Sequence, residues 1–418
     1  MKLTAKKVLK HPLIYDSSIV VLGSLLANFF GFLFNLFMSR SLIVSEYGTF
    51  ASIMSLVAFP VFIGSAINPV VVRFAGGYFA KKDFALLRGF YIQIKKLLVL
   101  IGIFIFFIFL FFIPTISDFF HIVDKTILFI TDIIIFIALI GVINMAFLQA
   151  KLAFGFQVIV NLCNAILKLI IAVILISLGY SVIGATFAML LAGAVSYIIS
   201  FYPLKFVFDK KIKSSSIPNK ELFLYGFPSA LALLGLTSLI SSDIILVKHF
   251  FSPQQAGLYA GLSLISRVIF FVSAPIATVM FPMIVQKHSK KEDYSSTFKL
   301  SLLLVVIPSL ILTCFYGMFP HFSILFFLKR QEYLTISPYL VPFAIFITFY
   351  GVLAILSNFY LSIHKTKVFI PLLLGAFLQI VLISLFHQTF LQIIISSLVC
   401  TVLLDITLLL YYPYATKK

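Results

Sequence analysis

Between about Phe156 and Leu178 the chain runs through an apolar stretch with a lysine, Lys168, near its middle. A run of that length crosses a bilayer as one α-helix. A lysine at that depth costs about 2.5–3.5 kcal/mol on insertion scales when it faces lipid, so it belongs against water or a partner. Gln157, Asn161, Asn164 and Lys168 stand at spacings of 0, +4, +7 and +11, which is one face of a helix. The first apolar helix repeats that spacing with Ser24, Asn28, Gly31 and Asn35. Both stripes are expected to line one hydrated, cation-bearing cavity that takes an anionic substrate.

The remainder of the chain supplies the membrane context. Of 418 residues, 62% are hydrophobic and only 11% charged, and the mean hydropathy is +1.17. That balance excludes a soluble domain and predicts an all-α polytopic membrane protein of about twelve spans. The formal charge of +18 does not point to nucleic acid. With the N-terminus in the cytoplasm, most Lys and Arg fall in or beside cytoplasmic segments, whereas the acids divide almost evenly and only Asp243 and Asp405 are placed within spans. This is a positive-inside pattern with both termini cytoplasmic.

An internal repeat organises the spans. At an offset of 209, Gly48 falls on Gly257, and Lys81, Lys82 and Asp83 fall on Lys290, Lys291 and Glu292. After a two-residue shift, Lys168 meets Gln379. The expected divisions are a basic amphipathic N-terminus (1–16), a six-helix bundle (17–204), a basic cytoplasmic linker (205–221), a second six-helix bundle (222–412) and a short tail (413–418). Two halves of six spans share one orientation, so their pseudo-twofold axis runs along the membrane normal, an arrangement suited to alternating access.

Motifs for chemistry are absent from the sequence. Cys163, Cys314 and Cys400 lie in apolar runs without metal or disulfide spacing. The seven histidines are scattered, and no Gly-rich phosphate loop is present, which argues against direct ATP use. An enzyme acting on membrane glycans is expected to carry a large outer loop, and none is evident.

The segments SRSLIVSEYGTF (39–50), YGFPS (225–229) and SSDIILVKHFFSPQQAGLYA (241–260) resemble bacterial polysaccharide flippases of the multidrug/oligosaccharidyl-lipid/polysaccharide exporter superfamily. The likeness extends over nearly the whole chain in span number and repeat. It implies two six-helix bundles in the bacterial cytoplasmic membrane and no enzymatic activity. It further implies movement of an undecaprenyl-pyrophosphate-linked oligosaccharide between leaflets, with membrane lipids and glycan-assembly proteins as partners. No cofactor is expected beyond coupling to H+, Na+ or the membrane potential.

On that basis Arg73 and Lys168 are expected to meet the pyrophosphate and Arg267 to continue the path, because guanidinium and ammonium groups suit phosphate oxygens. Gln157, Asn28, Asn35, Asn161 and Asn164 are expected to hydrate the cavity and bond the sugars. Structural alternatives stand beside these roles: pairing of Arg267 with Asp243 or of Lys168 with Asp405, lipid anchoring by Arg73, and interhelical seams for the asparagines. Asp243 and Asp405 are also candidates for ion coupling. A rival within the superfamily, an exporter of small cations, is expected to carry an acidic cavity instead.

Overall fold

In the computed structural model, residues 12–209, 219–289 and 291–416 are described, leaving out the side chains of 12–22, 61–66, 69, 70, 73, 80, 219–226, 271–275, 278, 282, 289 and 416. The expected N-terminal segment lies outside this range up to residue 11, as does most of the linker. The described residues are predominantly helical, with no strand among them. In chain order the helices are α1 (Pro12–Ser41), α2 (Val44–Ala80), α3 (Phe84–Phe120), α4 (Lys125–Ala150), α5 (Phe154–Ser177) and α6 (Ser181–Ser200). A short 3₁₀ segment, Tyr202–Phe208, follows. Then come α7 (Asn219–Phe250), α8 (Pro253–Ser266), α9 (Val268–Ser289), α10 (Ser295–Met318), α11 (Pro320–Leu328), α12 (Ser337–Ser362), α13 (Phe369–Leu385) and α14 (Phe390–Thr416).

Among the described residues nine helices are long and apolar enough to cross a membrane by length and composition, where about twelve spans are expected. One apolar run that hydropathy reads as a single span is broken. The run 257–281 is two helices, α8 and α9, separated at Arg267. The sequence there is apolar on both sides of Arg267, so hydropathy alone does not register the break.

The chain divides into two compact units. The first comprises Met1–Phe37, Ile63–Ser117 and Asp124–Gly226; the second comprises Met38–Phe62, Asp118–Val123 and Phe227–Lys418. The second therefore begins just after the expected linker but also takes in parts of α1 and α2 and the α3–α4 connection. In the first unit a buried aromatic cluster packs α3 against α4, with the Tyr91 and Phe147 rings 5.1 Å apart. In the second, α12 is central: 72% of an 18-residue apolar window within Gln331–Ser362 is buried, against 22% of the corresponding window in α3.

The repeat is visible in backbone detail. Lys82 and Lys291 both adopt left-handed φ, 54° and 57°. Each closes its helix with the same pair of bonds: Lys82 N to Phe79 O and Asp83 N to Tyr78 O, then Lys291 N to His288 O and Glu292 N to Lys287 O. This is the hydrogen-bond pattern of a Schellman cap, in which the left-handed residue is usually glycine. Two lysines in that conformation at corresponding positions mark the same turn used twice.

Candidate functional site

A cavity of about 470 Å³ opens within the first unit between α4, α5 and α6, with Asn68 of α2 at its edge. Gln157, Asn161, Asn164 and Lys168 of α5 all line it. The helical spacing read from the sequence thus brings these four side chains to one space. Gly141 of α4 and Gly193 of α6 line the other walls, and the absence of side chains there leaves room. Tyr197, Ser196 and Ser200 of α6 add hydroxyl groups, and among the described residues no acid is part of the lining.

Polar bonds behind the walls hold the helices in register. Asn144 of α4 is fully buried; it accepts from the Tyr91 hydroxyl at 2.7 Å and donates to Ser200 Oγ at 2.7 Å. Asn68 Nδ2 donates to Gln149 Oε1 at 3.1 Å, joining α2 to α4. A satisfied buried network of this kind fixes geometry, whereas a half-satisfied one is costly.

Lys168 sits with its ammonium 4.5 Å from the centre of the Phe34 ring on α1. No carboxylate pairs with it among the described residues. Phe34 is fully buried. At the other end of the same contact Gly23 of α1 lies against the Val158 side chain of α5, so closely that a Cβ there has no space. Positions 23 and 34 are eleven residues apart and share one helix face.

The α1 asparagines behave differently from expectation. Asn28 and Asn35 are not among the residues lining the cavity. Asn28 is exposed, and Asn35 Nδ2 donates to Gly31 O at 2.9 Å on its own helix. Their stripe lies one residue, or about 100°, around the helix from the face carrying Gly23 and Phe34. Arg73 is in α2, with its side chain outside the described residues.

The remaining candidates belong to the second unit. Arg267 caps α8, and its Nη2 donates to Ile240 O of α7, while its charge also acts on the buried Asp243. Asp243 is fully buried and accepts from the Tyr259 hydroxyl at 2.9 Å. Asp405 is 3% exposed, and neither carboxylate oxygen has a hydrogen-bond partner among the described residues, so its reading as half of an ion pair is not met. Gln379, the repeat counterpart of Lys168, is fully buried; its Nε2 donates to Leu239 O at 3.1 Å and Ser397 Oγ at 2.8 Å. The second repeat therefore packs where the first opens.

One buried acid escapes the sequence reading. Asp132 lies inside α4 with no exposure, and both its oxygens lack hydrogen-bond partners among the described residues. Its nearness in sequence to Asp118 and Asp124, which flank the α3–α4 connection, hides it among them.

A family model described as "Polysaccharide biosynthesis protein" matches residues 37–328. Among solved structures, the chain is similar to an inward-facing multidrug resistance MATE family transporter of the MOP superfamily, at 13% identity and TM-score 0.75, covering 94% of this chain and 96% of that one. It is also similar to the lipid II flippase MurJ in an inward closed conformation, at 17% identity and TM-score 0.69, covering 94% and 87%. A third is a MOP superfamily transporter from Pyrococcus furiosus whose binding pocket is described as having reverse polarity, at 14% identity and TM-score 0.60 over the full length of both chains. At these identities the likeness is one of fold. None of the curated proteins compared with the chain matches it.

Proposed function

Because the chain belongs to the polysaccharide biosynthesis protein family, we propose that it is a flippase that carries a lipid-linked oligosaccharide pyrophosphate across the bacterial cytoplasmic membrane by alternating access. The observation that carries this reading is Lys168, a cation with no counter-ion among the described residues, in a cavity whose apolar walls are interrupted by amides and hydroxyls and, among the described residues, by no acid. A sugar pyrophosphate is anionic and rich in hydroxyl groups, and cannot enter hydrocarbon unaided. Lys168 supplies the charge, while Gln157, Asn161 and Asn164 supply donors and acceptors for sugars. The lipid tail stays in the bilayer.

The cavity volume favours a lipid-linked unit over a growing polymer. About 470 Å³ lies in the range of small-molecule sites. An exporter of cationic drugs, the other reading compatible with this fold, needs the opposite charge in the same place. Coupling to H+, Na+ or the membrane potential is part of the proposal, with Asp132, Asp243 and Asp405 as the buried acids available for it.

The test is translocation in proteoliposomes containing a fluorescent polyprenyl-pyrophosphate-linked sugar, read by its accessibility to an added quencher. Protein-dependent flipping that Lys168→Ala abolishes supports the reading. Flipping that is unaffected by Lys168→Ala overturns it, as does no flipping of the anionic lipid alongside active efflux of an organic cation.

A further inference from the structure

The contact between Lys168 and Phe34 has a role in that site. A lysine within an apolar helix ordinarily finds a carboxylate, and Lys168 finds an aromatic face instead. The choice matters for a binding site. A carboxylate partner neutralises the ammonium, and an incoming phosphate must displace it. A ring attracts the cation through its quadrupole more weakly than an ion pair does, and leaves the N–H donors that point away from it available. The ring's own position is set from a distance. Gly23 lets α1 lie against Val158 of α5, and one helix face further along presents the fully buried Phe34 to Lys168.

The charges of the second unit show the contrast. Arg40 donates from Nε to Phe327 O and from Nη2 to Phe326 O, both at 2.7 Å; Arg330 donates to Arg40 O, and Arg267 to Ile240 O. Each of those guanidinium groups reaches at least one backbone carbonyl, although Arg267 Nε has no partner among the described residues. Among the described residues Lys168 is engaged with none.

We propose that Phe34 is the positioning residue for Lys168: its ring stands in for a counter-ion, so that the ammonium remains charged, aimed and unneutralised for a phosphate-bearing ligand. The inference rests on the transport reading above, and names the residue that makes Lys168 usable. Phe34 acts through Lys168 and has no contact with the ligand itself.

The experiment measures equilibrium binding of farnesyl pyrophosphate to the full-length protein in nanodiscs, with farnesol as the uncharged control. Phe34→Tyr keeps the ring and is expected to bind within about twofold of the original chain. Phe34→Met keeps an apolar side chain of similar reach without the ring, and is expected to weaken binding by about threefold to thirtyfold. In a Lys168→Met background, Phe34→Met is expected to add nothing further, which a merely structural role for the ring would not produce. Replacing Phe34 by 3,5-difluorophenylalanine preserves the packing volume and weakens the negative ring face; graded loss of binding is expected from it even where Phe34→Met folds poorly. Undiminished binding by the fluorinated protein, or an equal loss in both backgrounds, overturns the role of Phe34 while leaving the transport reading in place. If the original chain does not prefer farnesyl pyrophosphate to farnesol, or Lys168→Met binds it equally well, the anionic-ligand reading falls and this inference falls with it.

Discussion

Gly48 of α2 and Gly257 of α8, equivalent positions in the repeat, lie backbone against backbone: a Cβ on Gly48 would stand 2.6 Å from Gly257 N. A Cβ on Gly257 would in turn run into the carbonyl of Val44. The clash is with main chain on both sides, so no rotamer relieves it. Gly257→Ala is expected to lower stability by about 1–3 kcal/mol through overpacking, with Gly48→Ala somewhat milder. Thermal unfolding of purified protein in detergent measures this, and an unchanged midpoint for Gly257→Ala contradicts it.

Arg40 holds the end of α1 to the end of α11 through two bonds to the carbonyls of Phe326 and Phe327. Bonds from a charged donor are worth about 1.5–3 kcal/mol each in net terms, less where water reaches them. Arg40→Ala is therefore expected to reduce stability while leaving farnesyl pyrophosphate affinity unchanged. The pair of measurements separates a structural cation from a ligand-binding one, and a selective loss of affinity would reassign Arg40 to the site.

Asn144 joins Tyr91 and Ser200 behind the cavity wall. Asn144→Leu removes both bonds and leaves the Tyr91 hydroxyl in need of a new acceptor, a change expected to cost about 1–3 kcal/mol. Because Ser200 also lines the cavity, ligand affinity is expected to fall as well. Phe rather than Tyr at position 91, combined with Asn144→Leu, is expected to recover part of the stability. A double-mutant cycle by unfolding provides the check.

Lys168→Arg keeps the charge but enlarges the head and makes it planar. Partial retention of transport is expected, with a higher KM, since a guanidinium stacks on a ring face but cannot occupy the same point. Transport at the level of Lys168→Ala would show that position, and not charge, is limiting.

Much of this site is legible in the sequence because polar residues in an apolar run have few places to go. Gln157, Asn161, Asn164 and Lys168 announce themselves by type and by spacing, and the cavity contains all four. The same logic misleads on α1, where Asn28 and Asn35 make an equally regular stripe. There the face that meets Lys168 is the adjoining one, and its decisive residue is a phenylalanine in a chain with 50 of them, so composition gives it no prominence. Arg267 misleads for another reason. Hydropathy averages across it, whereas the chain breaks there and the guanidinium reaches a carbonyl of α7. The repeat is the most faithfully written feature, down to the left-handed lysines at 82 and 291.

The assignment of Met38–Phe62 to the second unit bears on how the protein is made. The ribosome releases this segment well before α8, against which Gly48 rests, has been synthesised. Its final packing must therefore wait for later polypeptide, and the amino-terminal half cannot finish folding alone. For the same reason, a gene cut at the linker yields a carboxy-terminal fragment missing part of its own interior, recoverable only when the two pieces are produced together.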